Sequence, residues 1–404
     1  MENNKDLSIL RDLARKYMEI ANSDIQDERR RLWRDHNSLK KTRPLVQVGF
    51  PPEEIPECQP KCEDPFCRQY EQYFLHRLYQ DKIGDDTIFE PWITIRASFL
   101  HGGWGMGARW IRPEEYRGAA RFDNPIKNLD DVSKLVKPRH AINEEDTKRR
   151  VEQLKDVIGD IIEIDVDRGP AYRVWSADIS TDLMYLRGLN QMMLDMSDNP
   201  EWLHGLLKFM MDGVLSAHEE AEKAGDWSLS SQENQAQVYS HELQDPKPNG
   251  GSVKRKDIWA FFAAQEFAQV GPEMQNEFLF QYQFPIIEKF GLVAYGCCED
   301  LTYKIKYLRK LPNLRRIAVT PWADIRKCVE QIGQDYVISW RPNPADMICC
   351  SFDPTHIREV VTDAMEACKG CHVDITLKDT QTYQYEPDRG IKWLRMVREI
   401  TDKY

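Results

Sequence analysis

The feature that most constrains the fold is a strand–helix rhythm running from about residue 258 to the last residues of the sequence. Short apolar runs at 258–264, 292–296, 316–320, 336–340 and 372–378 read as strands. Segments 272–290, 301–310, 325–332, 356–369 and 389–403 read as helices between and after them, with Gly291 and Gly333 standing where helices stop. Three more strands are expected upstream: 45–50, closed by Pro51-Pro52, the alternating 92–98, and 171–176. Eight strands in a β/α rhythm predict an α/β protein built as a single (β/α)8 TIM barrel. A doubly wound open sheet is the alternative. It favours a glycine-rich turn after the first strand, where this chain has two prolines.

The 404 residues suffice for one such barrel. Residues 1–42, with Leu7, Leu10, Leu13 and Met18 at helical spacing, read as an N-terminal helical extension, leaving 43–404 for the barrel. Further helices are expected over 66–82, 144–158 and 199–225, the last opened by Pro200 and stopped by Gly225. Residues 102–142 break the rhythm: HGGWGMGARWIRP and the residues after it show no helical period, so a long inserted loop serving as a lid is expected. Gly103, Gly105 and Gly107 do not open a helix, which argues against a phosphate-cradling loop.

The formal net charge is −11, and the basic clusters 29–31 and 254–256 are short, with acidic residues beside them. Nucleic-acid binding, which draws on a basic surface, is not expected. Mean hydropathy is −0.62 and no apolar run approaches the ~20 residues that span a bilayer, so no membrane role is expected. The first residues lack the basic-then-apolar order of a secretory signal, and a cytoplasmic location is expected. The ten cysteines then read as thiols rather than a disulfide framework.

Catalytic groups of a barrel gather at the C-terminal ends of its strands. Those ends read Gln265-Glu266, Cys297-Cys298-Glu299, Pro321-Trp322, Arg341-Pro342-Asn343 and Lys378-Asp379. Two thiols and a carboxylate at one strand end suit a zinc or iron site, or an activated thiolate. The competing reading is packing, because free cysteine behaves as a small hydrophobe and adjacent residues on a strand face opposite ways. Glu266 and Asp379 are expected to complete the site as acids, and Arg341 to fork onto a substrate carboxylate or cap a helix. Trp322, Tyr295 and Trp104 are expected to line the pocket, with Asn343 beside Arg341. His241 and His101, in loops on the same side, are further candidates. Clusters Cys58/Cys62/Cys67, Cys349/Cys350 and Cys368/Cys371/His372 read as structural.

Four segments carry a family resemblance: AQEFAQVGPEMQNEFLFQYQFPIIEKFGLVAYGCCEDL (264–301), LPNLRRIAVTPWADI (311–325), YVISWRPNPADM (336–347) and YLRGLNQMMLDMSDNPEWLH (185–204). They resemble the uroporphyrinogen decarboxylase superfamily, in its methyltransferase-like branch related to corrinoid-dependent methyltransferases. The resemblance implies a (β/α)8 barrel. It does not imply porphyrinogen decarboxylation, because the RQAGRY string of true decarboxylases is absent. In the methanogen methyltransferases of this superfamily, His-x-Cys at a strand end and a later Cys bind zinc. These positions fall here on Tyr295-Gly296-Cys297 and near Lys378-Asp379. One ligand is kept and two are altered, so zinc would call on Cys298, Glu299, Glu266, His241 or Asp379.

The implied activity moves a methyl group from a small methylated substrate, of methoxy or methylamine type, to cobalamin. No D-x-H-x-x-G string occurs, so the cobalamin would be supplied by a separate corrinoid protein. A homodimer is kept as an open alternative to a monomer. Two other function classes compete: a cofactor-free decarboxylase or lyase using Arg341 and Asp379 on a carboxylated substrate, and a non-catalytic binding barrel.

Overall fold

The structure, a computed structural model, describes residues 2–100, 102–115, 118–231, 237–350 and 352–404, so His101 lies outside the described residues. Its strands are β1 (Leu45–Val48), β2 (Trp92–Arg96), β3 (Arg109–Ile111), β4 (Arg121–Asp123), β5 (Glu163–Asp167), β6 (Trp259–Phe262), β7 (Leu292–Tyr295), β8 (Leu314–Val319), β9 (Val337–Trp340) and β10 (His372–Leu377). Six form one parallel sheet in the order β1-β10-β9-β8-β7-β6; β2 pairs in parallel with β5, and β3 with β4 in antiparallel. Every residue of β6, β7 and β9 is buried, as strands covered on both faces by helices require.

Among the described residues, backbone pairing does not join the expected eight strands into one closed ladder. Backbone pairing breaks between β1 and β2 and between β5 and β6. At the first break two buried carboxylates replace the missing strand. Asp86 accepts the Val46 amide at 2.7 Å and Asp85 the Val48 amide at 2.8 Å. A side-chain acceptor satisfies a strand amide as well as a carbonyl does, so the edge closes without a ladder.

The third strand also differs from expectation. Residues 163–167 (EIDVD) form it, whereas 171–176 turn and end in a short 3-10 helix, Val174–Ser176. Three acidic residues make 163–167 look like a loop by composition, but the fold gives all three partners, Glu163 accepting from Asn249 Nδ2 at 2.8 Å. Asp165 accepts from Thr94 Oγ1 at 2.9 Å and from the Asn249 amide at 2.8 Å, and Asp167 pairs with Arg173. Val174, at φ 52°, cannot continue an extended strand.

The N-terminal segment is two helices, α1 (Glu2–Ala21) and α2 (Asp24–Asn37), and α2 lies across the N-terminal ends of the central strands. Trp33 Nε1 donates to the Asp86 carbonyl at 2.7 Å, and Arg315 and Arg316, on β8, both reach Asn37. The expected lid at 102–142 is more ordered than a loop. It holds the β3–β4 pair, where Trp110 stacks edge-on to Phe122 at 4.4 Å, and a 3-10 turn at Leu129–Lys134. No helix among the described residues is long and apolar enough to cross a membrane.

The remaining helices preceding β6 are α3 (Pro65–Ile83), α4 (Glu144–Ile158), α5 (Ser180–Arg187), α6 (Leu189–Asp198) and α7 (Pro200–Ala224). His218, on α7, is wholly buried against Trp227 and Phe290, and its Nε2 donates to the Tyr172 carbonyl. Burial pushes its imidazole down to about 3, against the pull of that hydrogen bond. An imidazole whose folded value is depressed loses stability as pH falls below about 6.5, where the unfolded chain takes the proton first. His218→Gln is therefore expected to lose about 3 kcal/mol less stability than the parent between pH 6.5 and 4. Urea unfolding at both pH values checks this; parallel profiles would refute it.

Candidate active site

The thiols that sequence spacing could not bring to one face do meet, because the strand stops before them. β7 ends at Tyr295, and Gly296 comes next with φ 102°. A Cβ there would lie 2.7 Å from Leu301 Cδ1 and 3.0 Å from Ala318 Cβ, so only glycine fits this bend. Beyond it, Cys297 Sγ and Cys298 Sγ are 3.6 Å apart, the first buried and the second exposed.

Two carboxyl oxygens and one guanidinium fix the bend. Glu299, fully buried, accepts the Cys297 amide at 2.9 Å and the Ala264 amide at 2.8 Å. Its carboxylate thus ties the ends of β6 and β7 together. Arg341, at the end of β9, donates to the Cys297 carbonyl at 2.6 Å. Both residues orient the Cys297 backbone.

The group that completes the cluster is Lys378, directly after β10. Its Nζ lies 2.9 Å from Cys297 Sγ, 3.5 Å from Cys298 Sγ and 3.4 Å from Asp379 Oδ2. Burial and the Arg341 charge draw the Lys378 ammonium down, yet the two sulfurs outweigh them and hold it above its usual range. Cys298 is held well above the ordinary thiol range, first by its hydrogen bond with Cys297 and then by burial. The Lys378 ammonium lies nearest the Cys297 sulfur.

A second group of acids lies beside this cluster. Glu266 accepts from Thr181 Oγ1 at 2.9 Å, while its Oε2 is buried with no hydrogen-bond partner among the described residues. Asp178 is 0% exposed. Burial, reinforced by Glu299, Glu266 and Cys297, pushes its carboxyl well above the usual carboxylate range. Asp182 is pushed up to about 6, chiefly by burial, against the hydrogen bond that Trp104 Nε1 donates at 2.7 Å. Asp178 and Asp182 lie beyond β5 and follow the 171–176 run, which is expected as a strand and forms a turn and 3-10 helix instead.

Other expected site residues lie elsewhere. His241 bonds Asp35 at 2.8 Å and Lys40 at 2.9 Å at the α2 end of the molecule, so it does not join the thiols. Tyr295 is buried, its hydroxyl donating to Gln283 Oε1 at 2.7 Å. Trp104 is core, packed on Tyr172 and Phe209. Trp322 is 73% exposed and lines no apolar wall. Asn343 caps the turn after β9 through the Ala345 amide, and lines a cavity of about 440 Å³ with Trp340, Met347 and His356.

Zinc needs three or four converging ligands. Among the described residues no three His, Cys, Asp or Glu side chains converge in this way. Glu299 is spent on two amides, and the third group on the sulfurs is an ammonium that competes with a metal for their lone pairs.

No protein-family profile matches the sequence, and no curated protein matches it. Its fold is nevertheless similar to that of a solved structure, a methyltransferase from Methanosarcina mazei. The two superpose over 93% of this chain and 97% of the other, with a TM-score of 0.51 at 10% sequence identity. At that identity the likeness concerns the fold.

Proposed function

We propose that this chain is a methyltransferase that takes the methyl group of a small methoxy or methylamine compound and passes it to a corrinoid carried by a separate protein. The observation that carries this reading is the cluster of Cys297, Cys298 and Lys378 at the ends of β7 and β10, within a fold similar to that of a methyltransferase. The six-stranded and two-stranded sheets are read as arcs of one (β/α)8 barrel, with the cluster at its mouth. The corrinoid, as co-substrate, supplies the nucleophile that accepts the methyl group.

This chain's share is proton chemistry and positioning. As the carbon–heteroatom bond breaks, its electron pair stays on the heteroatom, which takes a proton from Lys378 Nζ. Asp379, with its side chain 61% exposed, connects Lys378 to solvent and returns the proton. Cys297 orients the ammonium, and Arg341 and Glu299 hold Cys297 in place.

The test supplies the chain with cob(I)alamin and, in turn, methoxyarenes and methylamines, and tracks methylcobalamin by its absorbance. Formation of methylcobalamin with release of the demethylated product supports the reading. Absence of transfer from every donor, with free cobalamin and with a corrinoid protein, refutes it. One observation favours a second reading: Lys378 and Arg341 place two cations at the mouth with no converging metal ligands among the described residues. A cofactor-free decarboxylase or lyase would use them on a carboxylated substrate, and would release CO2 at a rate unchanged in Cys297→Ser.

A further inference from the structure

The loop after β1 and the second half of α3 enclose a cavity of about 370 Å³ that the methyl-transfer reading does not use. Phe50, Tyr73, His76, Arg77 and Gln80 line it, with Gly49 at its floor. Gly49 donates to the Leu377 carbonyl at 2.6 Å, and a Cβ there would sit 3.0 Å from that oxygen, so the floor is backbone. The walls are aromatic: Phe50 stacks edge-on to His76 at 6.1 Å and tilts onto Tyr79 at 4.7 Å.

Arg77 is the unusual member. Its guanidinium lies over the Tyr73 ring, 5.4 Å from the centroid, and forms no ion pair with any described acid. By contrast Arg29, Arg43 and Arg398, on neighbouring elements, each pair with an aspartate. Two carboxylates act on the site: Asp85 on Arg77, itself bonded to the amides of Val48 and Thr87 and to Gln80 Nε2, and Glu53 on His76. The Arg77 side chain also bonds Tyr73, and the remaining N–H groups of its fork can meet a planar oxyanion. His76, beside it, adds a second ring-nitrogen donor.

We infer that this cavity is a binding site for the oxyanion head of a small molecule, a carboxylate or a phosphate, whose apolar body lies against Phe50 and Tyr73. Arg77 takes two of the oxygens and His76 a third contact. The site lies at the end of the strand paired with β10, which leads into Lys378. It stands independently of the reaction assigned to that lysine.

Titration calorimetry on the full chain tests the site, with benzoate and inorganic phosphate as probes. Saturable binding of either probe, weakened at least 10-fold in Arg77→Met and about 3-fold in His76→Gln, is the expected result. Saturation by benzoate alone assigns the head as carboxylate, and by phosphate alone as phosphate. No saturable heat from either probe, or equal affinity in folded Arg77→Met, overturns the inference. Should Arg77→Met fail to fold, phenylglyoxal labelling of Arg77 in the parent chain decides the matter. The probe that binds should slow labelling at least 5-fold, and an unchanged rate with both probes overturns the site.

Discussion

Replacing Lys378 with methionine is expected to lower the rate of methyl transfer by about 10²–10⁴-fold, the usual contribution of a positioned general acid. Methionine keeps the length and apolar stem of lysine but donates no proton. It also leaves Cys297 without the ammonium now 2.9 Å from its sulfur. The Lys378 proton is held above the ordinary lysine range, so the parent should keep its acid to beyond pH 10.5. A decline in rate that begins near neutrality would point to another group. The measurement is kcat for methylcobalamin formation beside the urea midpoint of each protein. Parent-like kcat in a folded variant would remove Lys378 from the chemistry.

The largest stability effect is expected at the opposite end of the strands. Asp374, on β10, has a side chain 1% exposed and receives Arg316 at 2.7 Å, Ser339 Oγ at 2.9 Å and His36 Nε2 at 3.1 Å. Burial alone would raise its carboxyl. The Arg316 charge, with the His36 and Ser339 bonds, more than reverses this and holds it below the usual range. Asp374→Ala strands the Arg316 guanidinium, 2% exposed, without its counter-ion, at an expected cost of about 3–5 kcal/mol. Replacing both partners, as Asp374→Leu with Arg316→Met, should recover much of that loss, because neither charge is then left buried. Urea denaturation of the single and double variants separates these cases. Equal losses in both would mean that α2, rather than the ion pair, carries the energy of this end.

Asp374 also sets an acid limit. Its folded value is depressed, so its contribution is complete above about pH 3.8 and is lost as pH falls further. His36 acts at higher pH. Burial outweighs its hydrogen bond to Asp374 and keeps it neutral, so it costs stability as pH drops below about 6.5.

Much of the scaffold is legible from local pattern. Apolar runs at 258–264, 292–296, 316–320, 336–340 and 372–378 form β6 to β10 within a residue or two, because a strand buried on both faces needs an unbroken apolar run. The helix expected at 144–158 forms over Glu144–Ile158, with Asn143 capping its first turn. Pattern fails where burial is polar. EIDVD reads as a loop until Thr94, Asn249 and Arg173 supply partners for its aspartates, and Thr94 and Asn249 are far away in sequence.

The site divides in the same way. Strand ends alone point to Cys297, Cys298, Glu299, Arg341 and Asp379, since the C-terminal ends of parallel strands share one face of the fold whatever their side chains. Lys378 stands at the same strand end, yet sequence favours its acidic neighbour as the reacting group. Whether a residue just past a strand faces in or out turns on a one-residue register that periodicity does not resolve. Asp178 stands two residues past the run expected as a strand at 171–176, but the strand that positions it and Asp182, 163–167, is too acidic to read as one.

What the sequence by itself determined was the order of strands and helices from residue 258 onward and the ends at which polar groups collect there, because hydrophobic spacing is a local property of the chain. Only the tertiary structure decided which of those groups touch. The backbone reversal at Gly296 brought two adjacent thiols to one side, and the pairing of distant strands set Lys378 against Cys297 across 81 positions. Such contacts depend on φ angles and side-chain partners that no run of neighbouring residues encodes.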